Sequence, residues 1–406
     1  GLGSYRNYVF GNEIKGNTTD GIFITGDTNF IGGPEKYQRN YIYGNSCGIS
    51  IFPGSSYNHI VGNYLGTDRN GFKDMTDGWD GIGVGGSYNE IINNLIGGYT
   101  HQGILLMRWD SEEVPNPNPV PQGNLVKDNW LGLDAEGTGF IPNGHGITLN
   151  SSTDNKILNN SIAGNTFNGI HIGSDLSILS VNNLISENSI YSNGELGIDL
   201  ESVGFTENDD QDADEGPNRL QNYPVLDSLS FAPGLVSVGG YLNSTPNTSF
   251  DLQFFASRLG DNSTYGEGET YLGTETVITN TAGDAFFTST LPIIGSAGQV
   301  ITATAIDPEG NTSEFSKAIG GVKEHILASI NRPFYYYINE DGLPTVFDNS
   351  DMDAIRKAFQ AWNDIASAEI EFIDAGTTTE QKASANDGIN LVTFRVKYNI
   401  SIQDLG

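Results

Sequence analysis

The sequence predicts a mainly β protein: a parallel β-helix over residues 1–222, then an antiparallel β-sandwich over 223–322, then a small α/β module over 323–406. Three observations carry this reading. Asn and Gly recur at fixed places through the first 200 residues, which hold 27 of the 42 Asn. No stripe of apolar residues at helical spacing occurs there. One such stripe does occur, near the C-terminus.

The repeats fix the first element. The pattern Asn-x-(Ile/Val/Leu)-x-x-Asn occurs at Asn7–Asn12, Asn40–Asn45, Asn58–Asn63, Asn89–Asn94, Asn124–Asn129, Asn155–Asn160 and Asn183–Asn188. Its apolar places are Val9, Ile42, Ile60, Ile91, Val126, Ile157 and Ile185. A second pattern, Gly-Ile-x-apolar, starts at Gly21, Gly48, Gly81, Gly103, Gly146, Gly169 and Gly197. Apolar-x-apolar triplets are short strands that alternate in and out. The Gly and Asn between them read as turns. Strict repetition favours a stacked solenoid over a sandwich, with coils of about 20–25 residues. The seven apolar residues are expected to point inward and stack. Asn at one place in each coil is expected to bond to the Asn above and below.

Charge narrows the function classes. The net charge is −31, with 19 basic and 50 acidic residues, which excludes a general nucleic-acid binder. It also argues against docking on anionic lipid. One cysteine, Cys47, permits no intrachain disulfide framework. No apolar run approaches the ~20 residues of a membrane span. The chain opens with a repeat already under way, so its first coil is expected to be covered by upstream sequence or by another subunit. The second arrangement would stack copies head to tail through the β-helix ends into a filament.

Three excursions interrupt the coils. Leu65–Trp79 and Leu131–Asn143 are offset by 66 residues and should project from one flank, about three coils apart. Arg108–Gln122 holds alternating prolines from Pro115 to Pro121, which favour an extended loop. Trp79, Trp109 and Trp130 lie in or beside these excursions, with Asp77, Asp80, Glu112 and Glu113. Aromatic rings beside acids make Trp79, Asp80, Trp109 and Trp130 candidates for binding a glycan or surface polymer. The competing reading is turn-filling Trp and solvated acids.

Residues 207–218 are strongly acidic. Asn208, Asp210, Asp212 and Asp214 alternate, and four hard oxygen donors in a curled loop suit Ca²⁺. The alternative is a solvated acidic linker. An EF-hand is not supported, because Gly216 comes one place late.

The segments IGGPEKYQRNYIYGNSCGISI (31–51), GNYLGTDRNG (62–71), DNWLGLDAEG (128–137) and NNSIAGNTFNGIHI (159–172) resemble the right-handed parallel β-helix repeat family of secreted bacterial and archaeal proteins. The resemblance covers about residues 1–222 and implies a right-handed coil in a secreted, extracellular or cell-surface protein. It implies no particular activity. Gly144-His145-Gly146 matches the Gly-His-Gly element of polygalacturonases, which share that fold. The paired Asp and Arg-x-Lys elements expected with it are missing. The place of His145 is held in other repeats by Asp20, Cys47, Asp80, Gln102, Asn168 and Leu196, a tolerant turn position. No catalytic residue is therefore assigned.

Beyond residue 222 the pattern changes. Runs at Leu235–Val238, Phe250–Phe255, Tyr271–Ile278, Ala285–Thr290 and Val300–Ile306 alternate between Gly, Asn and Pro turns, as in a sandwich. ITATAIDPEGNTSEFS (301–316) resembles the last hairpin of immunoglobulin-like modules. Further on, Met352, Ile355, Ala358, Phe359, Trp362, Ile365 and Ala366 form a helical stripe, with Ser350 as N-cap. Strands Phe334–Ile338, Ile370–Ile373 and Leu391–Val396 should flank it. AFQAWNDIASAEIEF (358–372) with NDGINLVTF (386–394) resembles the N-terminal half of a matrixin-type metalloprotease domain. That family's His-Glu-x-x-His does not occur in this sequence, so this chain alone is not expected to hydrolyse peptides. The expected role is that of a secreted structural or adhesive protein, glycan-binding or filament-forming. The alternatives are a polysaccharide-active β-helix enzyme or the front end of a larger zinc metalloprotease.

Overall fold

The computed structural model describes residues 5–73, 75, 78–109, 118–174, 179–201, 204–258, 265–293, 299–320, 334–339, 350–363, 372–378, 390–394 and 400–402. Asp77, Glu112, Glu113, Ile365 and Ala366 lie outside these residues. The chain forms two compact units, Gly1–Val322 and Lys323–Gly406.

The first unit opens with a parallel β-helix built of three seven-stranded parallel sheets. Each coil gives one strand to each sheet. In the first sheet Val9, Ile31, Ile60, Ile91, Val126, Ile157 and Ile185 are stacked partners. All but Val9 are buried. Six of the seven predicted stacking positions share this column except Ile42, whose place Ile31 takes. Ile42 is fully buried, but in the second sheet between Ile14 and Leu65. The reason is that the Asn-x-apolar-x-x-Asn pattern fits two corners of the coil, and Asn40–Asn45 is the second corner.

Asparagine ladders run along these corners. Asn7, Asn29, Asn58, Asn89, Asn124, Asn155, Asn183 and Asn218 form one continuous file, each Asn donating to the Oδ1 of the next. Asn12, Asn40, Asn63, Asn94, Asn129, Asn160 and Asn188 form a second. The rungs of the first file are 22, 29, 31, 35, 31, 28 and 35 residues apart. The coils thus run from 22 to 35 residues, all but the first longer than the expected 20–25, and three of the long ones hold the excursions that extend a minimal three-strand coil. The excursions after Leu65 and Leu131 consequently stand two coils apart, not three. They touch: the Ala135 N–H donates to the Gly71 carbonyl at 2.9 Å.

The recurrent Gly-Ile glycine has a cause other than a turn. A Cβ on Gly48, Gly81 or Gly146 would stand 2.4–2.5 Å from the carbonyl oxygen of the matching glycine one coil on. Close coil-to-coil approach, not left-handed backbone, selects glycine there.

Two antiparallel sheets of three and four strands follow, from Val225–Ala232 to Ile319–Gly320, and share one core. Val238, Leu242 and Phe287 of one sheet pack with Phe250, Leu252 and Ala303 of the other. This sandwich closes the last coil. The Ile185 N–H donates to Thr312 Oγ1 at 2.9 Å, closing the first sheet. Ile190 bridges to Gly268, closing the second. The Leu200 N–H donates to Glu314 Oε1 at 2.9 Å, closing the third. A third Asn file, Asn143–Asn165–Asn193, ends on Glu267 Oε1 at 2.9 Å. Phe255 and Phe315 enter the β-helix core. Coil-on-coil stacking of copies therefore has no open face at this end.

Among its described residues the second unit carries one helix, Ser350–Asn363, and a four-stranded sheet. Strand Phe334–Asn339 pairs in parallel with Phe372–Thr378 and Asn390–Phe394, and the latter in antiparallel with Ile400–Ile402. Met352 and Ile355 are buried, and Phe359 meets Tyr336 with ring centroids 4.1 Å apart. Ala358, expected on the buried stripe, is exposed. The strand expected at Ile370–Ile373 is the one at Phe372–Thr378.

Candidate functional site

The outer face of the third sheet collects the chemistry. In each Gly-Ile-x-apolar repeat the Ile and the last residue point inward, so x points out. The x residues stack as Phe23, Ser50, Gly83, Leu105, Thr148, His171 and Asp199. A second outward column includes Asp20–Cys47–Asp80 and Gln102–His145.

One end of the face is aromatic. Trp109 lies over Gly83 and Gly85, where side chains would crowd it. Its ring stands edge-on to Phe52 at 6.1 Å, and Phe52 to Phe23 at 5.7 Å. Trp79 is exposed and its ring meets His101 at 4.8 Å. Asp80 begins its strand and accepts the Gln102 N–H at 3.2 Å. Burial pushes its carboxyl up.

The other end is a groove of about 840 Å³, lined by His145, Phe167, Asn168, His171, Asp199 and Tyr265 among others. His145 meets Phe167 and His171, with ring centroids 5.2 and 5.5 Å away. Burial, then the neighbouring His171 and His101, depress its pKa to about 4, so its imidazole is neutral at pH 7. Asn168 donates to Asp199 Oδ2 at 2.8 Å. Asp199 Oδ1 and His145 Nδ1 are buried with no hydrogen-bond partner. Burial raises the Asp199 carboxyl against the pull of His171 and Asn168.

Three of the four predicted glycan residues, Trp79, Asp80 and Trp109, belong to the third-sheet side. Trp130 does not. It stacks between Leu95 and Ser161 on the second sheet. There it lines a small cavity of about 190 Å³ with Arg39 and Tyr64. The Arg39 guanidinium lies 3.7 Å from the centroid of the Tyr64 ring. His171 and Asp199 were not among the predicted site residues, although the repeat carries the signal. Gly169-Ile-His-Ile and Gly197-Ile-Asp-Leu place both at the outward x of successive coils.

In the acidic exit loop the carboxylates that converge are Asp209, Asp212 and Asp214, whose oxygens lie within 4.8 Å of one another. Of the predicted set, Asp212 and Asp214 are in this group. Asp210 is exposed and outside it. Asn208 is occupied: its Oδ1 accepts the Tyr223 N–H at 3.0 Å and its Nδ2 donates to the Tyr223 carbonyl at 2.8 Å. Burial pushes the Asp212 carboxyl up to about 6, with Asp214 and Asp209 adding repulsion, against the Ser244 and Asn222 hydrogen bonds.

A family model described as "Periplasmic copper-binding protein (NosD)" matches residues 2–77 and 72–208, together just over half of the 406-residue chain. The chain belongs to the NosD family. That family is periplasmic by description, and this NosD-family protein is of the secreted class. No helix among the described residues is long and apolar enough to cross a membrane. Solved structures with a similar course include a double mutant of the periplasmic alginate epimerase AlgG, 17% identical, TM-score 0.32, covering 49% of this chain. The chain spans 43% of the length of that epimerase. The ORF18 protein of Geobacillus virus E2 is 14% identical, TM-score 0.28, with 74% of this chain and 60% of that one covered. A tailspike protein mutant of an E. coli bacteriophage, in complex with a pentasaccharide, is 10% identical, TM-score 0.20, with 71% and 66% covered.

Copper favours imidazole and sulfur donors. The described residues of this NosD-family chain do not fit it. Their one three-ligand cluster is all carboxylate. His171 Nε2 is engaged with the Glu201 carbonyl at 2.9 Å. Cys47 stands in register between Asp20 and Asp80, and burial pushes its thiol up.

Proposed function

We propose that this NosD-family protein binds an extended glycan along the outer face of its third sheet. The observation that carries the reading is the continuity of that face. Phe23, Phe52 and Trp109 at one end and Phe167 at the other lie on the flank of one stack of seven strands, and Tyr265 of the sandwich lines the groove beside Phe167. Strands spaced about 4.8 Å apart make the stack about 29 Å long, a track for a chain rather than a pocket for a monosaccharide. Aromatic rings offer apolar faces, and the polar groups between them offer orientation. Affinity electrophoresis of the full chain in polysaccharide gels tests this. Retardation is expected with at least one polysaccharide, and Trp109→Ala should weaken it about tenfold. Mobility unchanged in every gel, or equal for the variant, defeats the proposal.

The acidic exit loop is proposed as a calcium site. What supports it is the hard, all-oxygen character of Asp209, Asp212 and Asp214. Cation binding to the folded state alone would stabilise it by mass action. Chelator should then lower the melting temperature of wild type, and Asp212→Asn with Asp214→Asn should abolish that response. Superimposable melting curves with calcium and with chelator would sink the idea.

A further inference from the structure

We propose that the groove beside His145, Phe167 and Asp199 takes uncharged sugar units and excludes uronic acids. This rests on the glycan-binding reading above and adds the class of glycan. The lining contains carboxylates, Glu195 and Asp199, and among the described residues no Lys or Arg. Recognition of a sugar carboxylate ordinarily uses those two side chains, Arg above all. The Lys317 ammonium is committed to Tyr265, 4.9 Å from the ring centroid. The His145 imidazole does not replace a fixed cation. His145 is held neutral by its burial and its histidine neighbours. The His171 ring is turned to the Glu201 carbonyl through Nε2.

The unpartnered atoms point the same way. Asp199 is only 4% exposed, yet its Oδ1 has no hydrogen-bond partner. His145 Nδ1 is in the same condition. A carboxylate oxygen accepts, and an imidazole nitrogen accepts or donates according to tautomer. Sugar hydroxyls both donate and accept, so one sugar edge can satisfy the two atoms in either tautomer. The Phe167 ring, 42% exposed, offers its apolar face beside them. The groove, at about 840 Å³, is in the size range of sites that enclose a ligand larger than one ring.

Isothermal titration of the full chain at pH 7 with three soluble oligosaccharide sets tests this: neutral glucans, mannans and xylans, then oligouronates, then chitosan oligomers. The neutral set should contain the binder, with oligouronates at least about tenfold weaker. Phe167→Ala, an exposed position whose fold is verified by its melting curve, should weaken neutral binding about tenfold. Uronates or chitosan binding more tightly than every neutral sugar, with loss in Phe167→Ala, overturns this inference and leaves the glycan-binding reading standing. Neutral binding indifferent to Phe167→Ala overturns the groove assignment alone. Absence of binding by all three sets, together with unretarded mobility in every polysaccharide gel, overturns both.

Discussion

Ile157→Asp is expected to leave the first unit unfolded at room temperature. Ile157 is fully buried and stacked between Val126 and Ile185. A carboxylate there has no cation to pair with, and the surrounding column is aliphatic. Burial of an unpaired charge costs several kcal/mol or forces protonation. Domains are stable by only about 5–15 kcal/mol in all. In a stacked solenoid each coil leans only on its neighbours, so one broken coil separates those on either side. Ile157→Val removes a single methylene and should cost only about 0.5–1.5 kcal/mol. Circular dichroism and limited proteolysis of the two variants measure the contrast. A cooperative melt for the Asp variant near that of wild type would refute the register.

The second large effect is expected for Asn129→Leu. The side-chain oxygen of Asn129 accepts from the Asn94 backbone N–H at 2.9 Å and from Asn94 Nδ2 at 3.0 Å. Its Nδ2 donates to the Ile91 carbonyl at 2.8 Å and to Asn160 Oδ1 at 3.0 Å. Leucine is nearly isosteric and removes these four bonds while the partners stay buried. Each buried group left without a partner costs about 1–3 kcal/mol, so a total of about 3–6 kcal/mol is expected. Asn12→Leu is the control. Asn12 belongs to the same file but is exposed, and water replaces the lost partners there. Its cost should stay below about 1 kcal/mol. Urea denaturation midpoints give both values, and equal shifts would mean the file is decoration rather than support.

Much of the first unit was legible in the residues because a solenoid writes its geometry into a period. The inward column and the Asn files both follow from which places repeat. Coil length was not legible from the motifs alone, since Asn40–Asn45 and Asn58–Asn63 look alike and mark different corners. The separation of Trp130 from Trp109 follows from the same ambiguity: neighbours in an excursion-rich sequence can face different sheets. The capping contacts left no trace at all. Gln253, Glu267, Thr312 and Glu314 are ordinary polar residues in sandwich strands and turns, and only the fold brings them to the coil end. Asp199 and His171 stood at an equivalent repeat position and could have been found by aligning the repeats on their glycines.

Closure of the coil by the sandwich has a consequence for assembly. A stack of parallel strands is a template: the last strand of each sheet presents the donors and acceptors that the next copy of the same strand would use. In this protein all three templates are read out by the chain's own later residues, through Thr312, Gly268 and Glu314. The side chains that follow down the axis are Phe255 and Phe315, aromatic plugs in place of another aliphatic layer. The sandwich thus acts as a terminator, ending an otherwise repeatable growth pattern after a set number of layers. A chain severed in the exit loop would regain three bare templates at once, and with them the capacity to seed ordered β aggregation.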